Sequence, residues 1–520
     1  MPKVTIDGQE MEVAAGTTIL QACLARGREI PHYCYHDGLS IAGNCRMCLV
    51  DVEKQPKLVI GCYTTVAEGM VVHTENDKVK KARAAMMEFF LINHPLDCPI
   101  CDQAGECRLQ DYAVTHGTGT SRYTEPKLAL AKAVDIGAHV TLDQERCIQC
   151  SRCIRFCDEI TKTGELGFFE RGERSQIGIF PGRRLDNAYS GNVVDLCPVG
   201  ALTLKEFRFQ TRVWYLRNTS TICAGCARGC NVVVGVGQQQ TMMTTSGQID
   251  DRIKRIVPRV NTEVNDWWIC DEGRLSYLRE QGSRRLVASA VAGAATSYDA
   301  AVAKAGELLA AAGRTGALAA IVSPRLVSED LFAWRTALEA LGGGPVRVHE
   351  LRRGEDDGLL IRADKGANSK GASWIFGTGA APAAKASTLL VLGDTLDAAD
   401  SPAVEAQGIE VVYVGPFVTE ASERAGVAIP SASWSEADGT FVNFEGRAQR
   451  VRRCHLPVGE ARPSWRIALD VLAAAGASAP AWTSETDVLA ALAAKVPEFS
   501  GITPDSLGLL GVPARGPVGA

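Results

Sequence analysis

Cysteine thiols and one histidine are the residues of this chain whose types and spacing could do chemistry together. Seventeen of the eighteen cysteines lie in the first 270 residues, and fifteen of them with one histidine sort into four sets of four. Along the chain these are Cys34, Cys45, Cys48 and Cys62; His94, Cys98, Cys101 and Cys107; Cys147, Cys150, Cys153 and Cys197; and Cys223, Cys226, Cys230 and Cys270. Cys23, Cys157 and Cys454 are left over. Thiolates and imidazoles at such spacings hold iron–sulfur clusters or zinc. Four redox centres on one chain would make a wire for electrons.

The first set has the spacing C-x10-C-x2-C-x13-C. Its long first loop, rich in small residues, lets backbone fold around a cluster and aim N–H groups at sulfur. The second set, H-x3-C-x2-C-x5-C, joins an imidazole to three thiolates. A neutral ligand in place of a thiolate makes a cluster less negative and raises its potential. In the third region, C-x2-C-x2-C-x3-C copies the run of two-cluster ferredoxins, yet Cys157 is followed by Asp158 rather than proline. The Cys-Pro that closes a cluster is Cys197-Pro198, so one cluster on Cys147, Cys150, Cys153 and Cys197 is expected, with Cys157 left out. Arg146, Arg152 and Arg155 interleave these ligands, either offsetting cluster charge or lining a solvated face. The fourth set, C-x2-C-x3-C-x39-C, closes at Cys270 after Trp267-Trp268-Ile269. Zinc remains the alternative occupant for the first, second and fourth sets.

These ligands need elements to carry them. Residues 3–14 read as a hairpin and residues 18–26 as an amphipathic helix with Ile19, Leu20, Cys23 and Leu24 inward. Residues 78–93 read as a helix with Val79, Ala82, Met86, Phe89 and Phe90 on or near one face. A hairpin-rich insert over 232–259 would return Cys270 to its partners. After Arg274 the chain becomes Ala-rich, and strand-like runs (388–392, 409–414) alternate with helical stretches (298–309, 329–341). That alternation predicts an α/β domain with a mostly parallel sheet. The net charge of -5 and pI near 6.0 argue against a nucleic-acid partner. No apolar run approaches the roughly 18–20 residues of a membrane span. The strand pattern begins at once, leaving no room for a signal peptide. Many cysteines in such a chain indicate metal ligands in a reducing compartment rather than disulfides. No GxGxxG or Walker loop stands in a strand–turn–helix context.

The strand–helix–loop order of the first set resembles a β-grasp 2Fe-2S ferredoxin. In combination, Gly43-Asn44-Cys45-Arg46-Met47-Cys48, His94-Pro95-Leu96-Asp97-Cys98-Pro99, Arg146-Cys147-Ile148-Gln149-Cys150-Ser151-Arg152-Cys153 and Trp268-Ile269-Cys270-Asp271 resemble the family of G subunits of bacterial NADH:quinone oxidoreductase, respiratory complex I. The resemblance covers residues 1–275. It implies one 2Fe-2S cluster on the first set and a 4Fe-4S cluster on each of the other three. It further implies electrons arriving from a flavin-bearing, NADH-binding partner and leaving to a downstream iron–sulfur subunit. The family's order is the first set, then the Cys147 set, then the His94 set, with the Cys223 set off the path. A peripheral position on the cytoplasmic face of a bacterial inner membrane follows, with the membrane touched only through partner subunits.

The expected domains are a 2Fe-2S β-grasp at 1–78, a His-ligated 4Fe-4S segment at 79–118, a ferredoxin-like 4Fe-4S domain at 119–215 and a further 4Fe-4S domain at 216–275. Residues 276–520 resemble a shortened molybdopterin oxidoreductase domain through Ile429-Pro430 and Glu436-Ala437-Asp438-Gly439-Thr440-Phe441-Val442-Asn443-Phe444-Glu445-Gly446-Arg447. Its shortness implies a scaffold without bound molybdopterin, and Cys454 is not expected to bind metal. The implied fold class is thus α+β iron–sulfur domains followed by a shortened α/β domain, with no complete active site on the chain. The rivals are an electron-input (diaphorase) subunit of an NAD-linked hydrogenase, a formate dehydrogenase and a zinc-stapled scaffold. An [FeFe]-hydrogenase would need a second ferredoxin run and further cysteines beyond Cys270.

Overall fold

In the computed structural model, residues 1–238, 252–377, 386–393 and 408–514 are described. The chain divides into two units, Met1–Tyr215 and Leu216–Ala520.

The first unit begins with a hairpin of Lys3–Ile6 and Gln9–Glu12. Its two-residue turn, Asp7-Gly8, has positive φ at both positions (46° and 81°), the twist that suits adjoining strands. Met70–His73 adds in parallel beside Lys3–Ile6, and Leu49–Val52 and Val59–Ile60 complete a five-stranded sheet. Thr18 and Gln21 form a capping box at the start of helix Ile19–Ala25. That helix buries Ile19, Leu20, Ala22 and Cys23 in the sheet's core. Cys23 is therefore a core residue, as its place in the helix suggests.

Helix Asp77–Ile92 is capped by Asn76 and buries Val79, Arg83 and Met87. Phe89, expected on or near the inward face, is 69% exposed. Ten residues beyond Val79 it falls about 80° off the buried stripe. Arg83 points inward instead and donates from Nη2 to the Leu49 carbonyl at 3.3 Å. Further along, Val140–Leu142 lies between Val134–Asp135 and Leu202–Leu204 in a small sheet.

In the second unit Leu216–Ile222, Asn231–Gly237 and Ile253–Pro258 form an antiparallel meander. Residues 239–251 of the expected insert lie outside the described residues. A seven-stranded sheet follows. Val346–Val348, Leu318–Val322, Thr388–Leu392, Glu410–Gly415 and Val427–Pro430 are parallel in that spatial order. The hairpin Ser289–Val291 with Ala294–Thr296 closes one edge antiparallel. Strands Leu318–Val322 and Thr388–Leu392 are buried along their whole length, as parallel strands covered on both faces must be. Helices Tyr298–Arg314, Ser328–Ala340, Ser464–Ala474 and Glu485–Lys495 share one core with the sheet through Ala305, Trp334, Leu472 and Leu492. The α/β domain expected after residue 275 is the one observed.

Candidate metal centres

The four thiols of the first set are buried in one group. Cys34 hydrogen-bonds the side chains of Cys45 and Cys62, and Cys62 that of Cys48. Backbone turns make this possible. Gly43 and Arg46 have positive φ of 59° and 56° on either side of Cys45. A Cβ on Gly61 would lie 2.8 Å from the Cys48 carbonyl oxygen, so that approach requires glycine. The Cys62 N–H donates to Cys48 Sγ at 3.4 Å. Hydrogen bonds from neighbouring thiols hold Cys34 below the ordinary thiol range, and the same bonds with burial push Cys45 and Cys62 above it.

For the second set, His94, Cys98, Cys101 and Cys107 line one small cavity together with Arg146 and Gly200. The turn Cys98–Ile100 brings Cys98 and Cys101 to the same side. Helix Arg108–His116 starts at Cys107 and offers it the N–H groups of Gln110 and Leu109. Burial, reinforced by Arg146, lowers the His94 pKa to about 4, leaving a neutral imidazole with a free lone pair at neutral pH. Burial pushes Cys101 up and Cys107 up to about 11. A Cβ on Gly200 would fall 2.2 Å from Cys101 Sγ, so only glycine leaves that sulfur room.

The third set combines the run from Cys147 to Cys153 with Cys197. Positive φ at Gln149 (54°) and Ser151 (63°) turns the backbone between successive cysteines. Gln149 N–H donates to Cys147 Sγ at 3.4 Å, and Val199, Leu202 and Ala201 N–H groups face Cys197. Burial lifts Cys147 to about 12 and Cys150 to about 11, with the other cysteines adding to the rise. Cys157 is buried in the π-helical turn Phe156–Ile160, where burial raises it to about 12.

Three arginines settle the question the sequence left open. Arg146 and Arg152 are buried and Arg155 is partly buried, so they do not form a solvated face. Arg146 pairs with Asp97 and Asp143 at 3.0 and 3.3 Å. Arg152 reaches the carbonyls of Leu196 and Tyr35, and Arg155 those of Cys34 and Cys150. Arg155 therefore ties the loop of the first set to the run of the third. Cys107 Sγ lies 3.9 Å from the Pro198 carbonyl, which joins the second set to the third. Sequence reasoning missed Arg108, which approaches His32 Nε2 at 3.3 Å, and the glycine at 200. The Cys-Pro-Val-Gly string was the available signal for the latter.

Cys223, Cys226, Cys230 and Cys270 are grouped and buried in the second unit. Gly225 N–H donates to Cys223 Sγ and Gly273 N–H to Cys270 Sγ, both at 3.3 Å. A Cβ on Gly273 would sit 3.0 Å from Cys223 Sγ and 3.3 Å from Cys270 Sγ. Burial raises Cys223 and Cys230, and Cys270 to about 12. Cys454 is buried apart from this group, with its Sγ 3.5 Å from the Arg452 carbonyl.

Among the described residues no three His, Cys, Asp or Glu side chains converge as ligands of a single metal ion would. The donor chemistry fits iron–sulfur clusters. Buried thiols of raised pKa become thiolates only against strong positive charge, and N–H groups aimed at sulfur stabilise the charge that results.

Four family models match the chain. They are a 2Fe-2S iron-sulfur cluster binding domain (residues 2–77), the NADH-ubiquinone oxidoreductase-G iron-sulfur binding region (83–122), the ferredoxin-like domain of NADH-quinone oxidoreductase subunit 3 (137–203) and molybdopterin oxidoreductase (297–474). Two relatives, each named as the G subunit of NADH-quinone oxidoreductase, come from Rickettsia bellii and Rickettsia felis and are 48% and 47% identical over 277 residues. Each match takes up 53% of this chain and 39% of the relative, so the chain covers well under half of those relatives' length. A solved NAD+-reducing [NiFe]-hydrogenase in its H2-reduced state is 29% identical, over 41% of this chain and 91% of that one. Its TM-score of 0.38 is too low for a fold inference. The chain thus carries iron–sulfur domains of the NADH-quinone oxidoreductase kind, followed by a molybdopterin oxidoreductase domain.

Proposed function

We propose that this chain is the electron-relay subunit of an NADH:quinone oxidoreductase, standing between a flavin-bearing, NADH-binding partner and a downstream iron–sulfur subunit. The observation that carries the reading is one buried cluster in the first unit. It contains Cys34 and Cys45 of the first set, Cys107 of the second and Cys150 of the third, with Cys147 and Cys197 packed against it. Three donor sets sharing one core are held at fixed mutual distances, as an electron relay requires.

In this proposal Cys34, Cys45, Cys48 and Cys62 hold a 2Fe-2S cluster. His94, Cys98, Cys101 and Cys107 hold a 4Fe-4S cluster, as do Cys147, Cys150, Cys153 and Cys197, and Cys223, Cys226, Cys230 and Cys270. When bound, such clusters supply one-electron oxidation and reduction. The protein's own work is to fix ligand spacing, exclude water and aim N–H groups and guanidinium charge at the sulfurs. Cys98 is the exposed cysteine among these ligands, whereas Cys101 and Cys107 of the same set are buried. No helix among the described residues is long and apolar enough to cross a membrane. We place the chain at the cytoplasmic face of the membrane, attached through partner subunits. The molybdopterin oxidoreductase domain serves here as a scaffold without that cofactor, and stoichiometric molybdenum or tungsten in the purified chain would overturn this assignment.

Quantitative low-temperature EPR of the anaerobically purified, dithionite-reduced chain tests the relay. One slowly relaxing 2Fe-2S signal with two or three fast-relaxing 4Fe-4S signals is expected, three if the Cys223 set is filled. A colourless, zinc-containing protein without signals would replace the relay by a zinc-stapled scaffold.

A further inference from the structure

Between Cys34 and Cys45 the loop of the first set contains no helix or strand. It is held instead along residues 149–159, which carry ligands of the third set. Arg152 donates to the carbonyls of Tyr35 and Leu196, the residues beside ligands Cys34 and Cys197. Arg155 donates to the carbonyls of Cys34, Ser40 and Cys150, and from Nε to Ser151 Oγ at 3.2 Å. Asn44 Nδ2 donates to the Gln149 carbonyl at 3.3 Å, and Glu159 accepts from the Ser40 N–H at 2.8 Å.

Carbonyl partners satisfy the N–H groups of a guanidinium but leave its charge unmatched. Arg146 differs, because ion pairs with Asp97 and Asp143 match its charge. Among the described residues neither Arg152 nor Arg155 forms an ion pair; their hydrogen bonds go to carbonyls and one hydroxyl. Arg152 is buried, where an unmatched charge is costly. Burial works against its charge, and the Cys150 and Cys34 thiols favour it. A cluster on four thiolates is net negative and gains a further negative charge on reduction. One such centre on each donor set would supply the charge that these guanidinium groups lack.

We propose that Arg152 and Arg155 are the shared counter-charge of the first and third clusters. They are positioning residues that hold the two ligand segments together and raise both reduction potentials at once. An electron added to either cluster is stabilised by the same guanidinium pair. This role rests on the relay reading, since it needs clusters on both donor sets.

EPR-monitored redox titration of the anaerobically purified full-length chain tests it, with the third-set signal identified by its loss in Cys147→Ser. In Arg155→Gln the 2Fe-2S and third-set potentials should both fall. Each should fall by about tenfold in the reduction equilibrium, or about 59 mV for one electron. The potential of the His94 set should not move. Ser151→Asp leaves Arg155 in place and puts a carboxylate beside its Nε, in a left-handed backbone (φ 63°) that aspartate tolerates. It should lower the same two potentials, whereas the neutral Ser151→Asn should leave them unchanged. If Arg155→Gln loses its clusters, Ser151→Asp decides. The shared role is overturned if Ser151→Asp moves one of the two potentials or neither, if Ser151→Asn moves them equally, or if the His94 set shifts as far. Arg155→Gln with full iron content and unmoved potentials would also overturn it. No iron–sulfur signal in the unaltered chain would instead remove the relay reading, and this role with it.

Discussion

His94 is the one imidazole among sixteen proposed ligands, and its pKa near 4 follows from burial beside Arg146. His94→Cys would put a thiolate in its place and make that cluster more negative. Its reduction potential should fall by on the order of 100 mV in an EPR-monitored titration. An unchanged potential would show that His94 is not a ligand. Gly200 makes a second residue-scale prediction, because a Cβ there would overlap Cys101 Sγ at 2.2 Å. Gly200→Ala should cost the chain its His94-set signal and the matching iron, while the 2Fe-2S signal persists. Retention of all signals would show that this sulfur can move aside. The histidine was legible from its spacing to three cysteines. The glycine's role was not, because it depends on a sulfur 99 positions away in the chain.

At the scale of elements, helix Ser328–Ala340 starts with two adjacent buried carboxyls. Glu329 accepts from Thr440 N–H at 2.7 Å and Thr440 Oγ1 at 2.8 Å, and Asp330 accepts from Trp465 N–H at 2.8 Å. Burial pushes both pKa values up to about 7 despite these bonds. Unfolded, the two carboxyls titrate near pH 4, so the folded state holds more protons between about pH 4 and 7. Their contribution is therefore fully present below the unfolded values and is lost as pH rises through 7. Thermal unfolding of the full chain should show stability falling from pH 5 to 8, by on the order of 3 kcal/mol. Glu329→Gln should flatten that slope, and a slope left intact would remove Glu329 as its source. The helix itself was readable from residues 329–341, but its buried acids were not. Acidic residues in a first turn ordinarily face solvent and the helix dipole, and only the packed strand Gly439–Val442 puts Glu329 inside.

Across the whole molecule, the two units depend on their proposed metals to different degrees. In the first unit Cys48 and Cys62 sit in one core, and Cys34, Cys45, Cys107 and Cys150 in the other. The main core of the second unit contains no cysteine and rests on its sheet and the four helices that pack on it. Metal binding that assembles a core is folding free energy. Removing iron with a chelator under reducing conditions should therefore abolish hydrogen-exchange protection over Leu49–Val52 and Arg108–His116. Protection should persist over Leu318–Val322 and Tyr298–Arg314. Equal loss in both units would contradict this independence.

The sequence by itself determined which cysteines, with His94, are proposed as donor sets, because clusters need thiolates at short spacings with glycine turns between them. It also determined the α/β character of the second half, since buried parallel strands must be continuously apolar and alternate with helices. Tertiary structure decided which arginines are buried. In sequence Arg152 and Arg155 could either offset cluster charge or line a solvated face; in the fold they become the ties between Cys34, Tyr35, Cys150 and Leu196. It also placed Phe89 outward, against the expectation, and Arg83 inward. The order of the parallel strands in the second unit belongs entirely to tertiary structure. It sets strands distant in sequence side by side, and no local pattern of residues encodes that order.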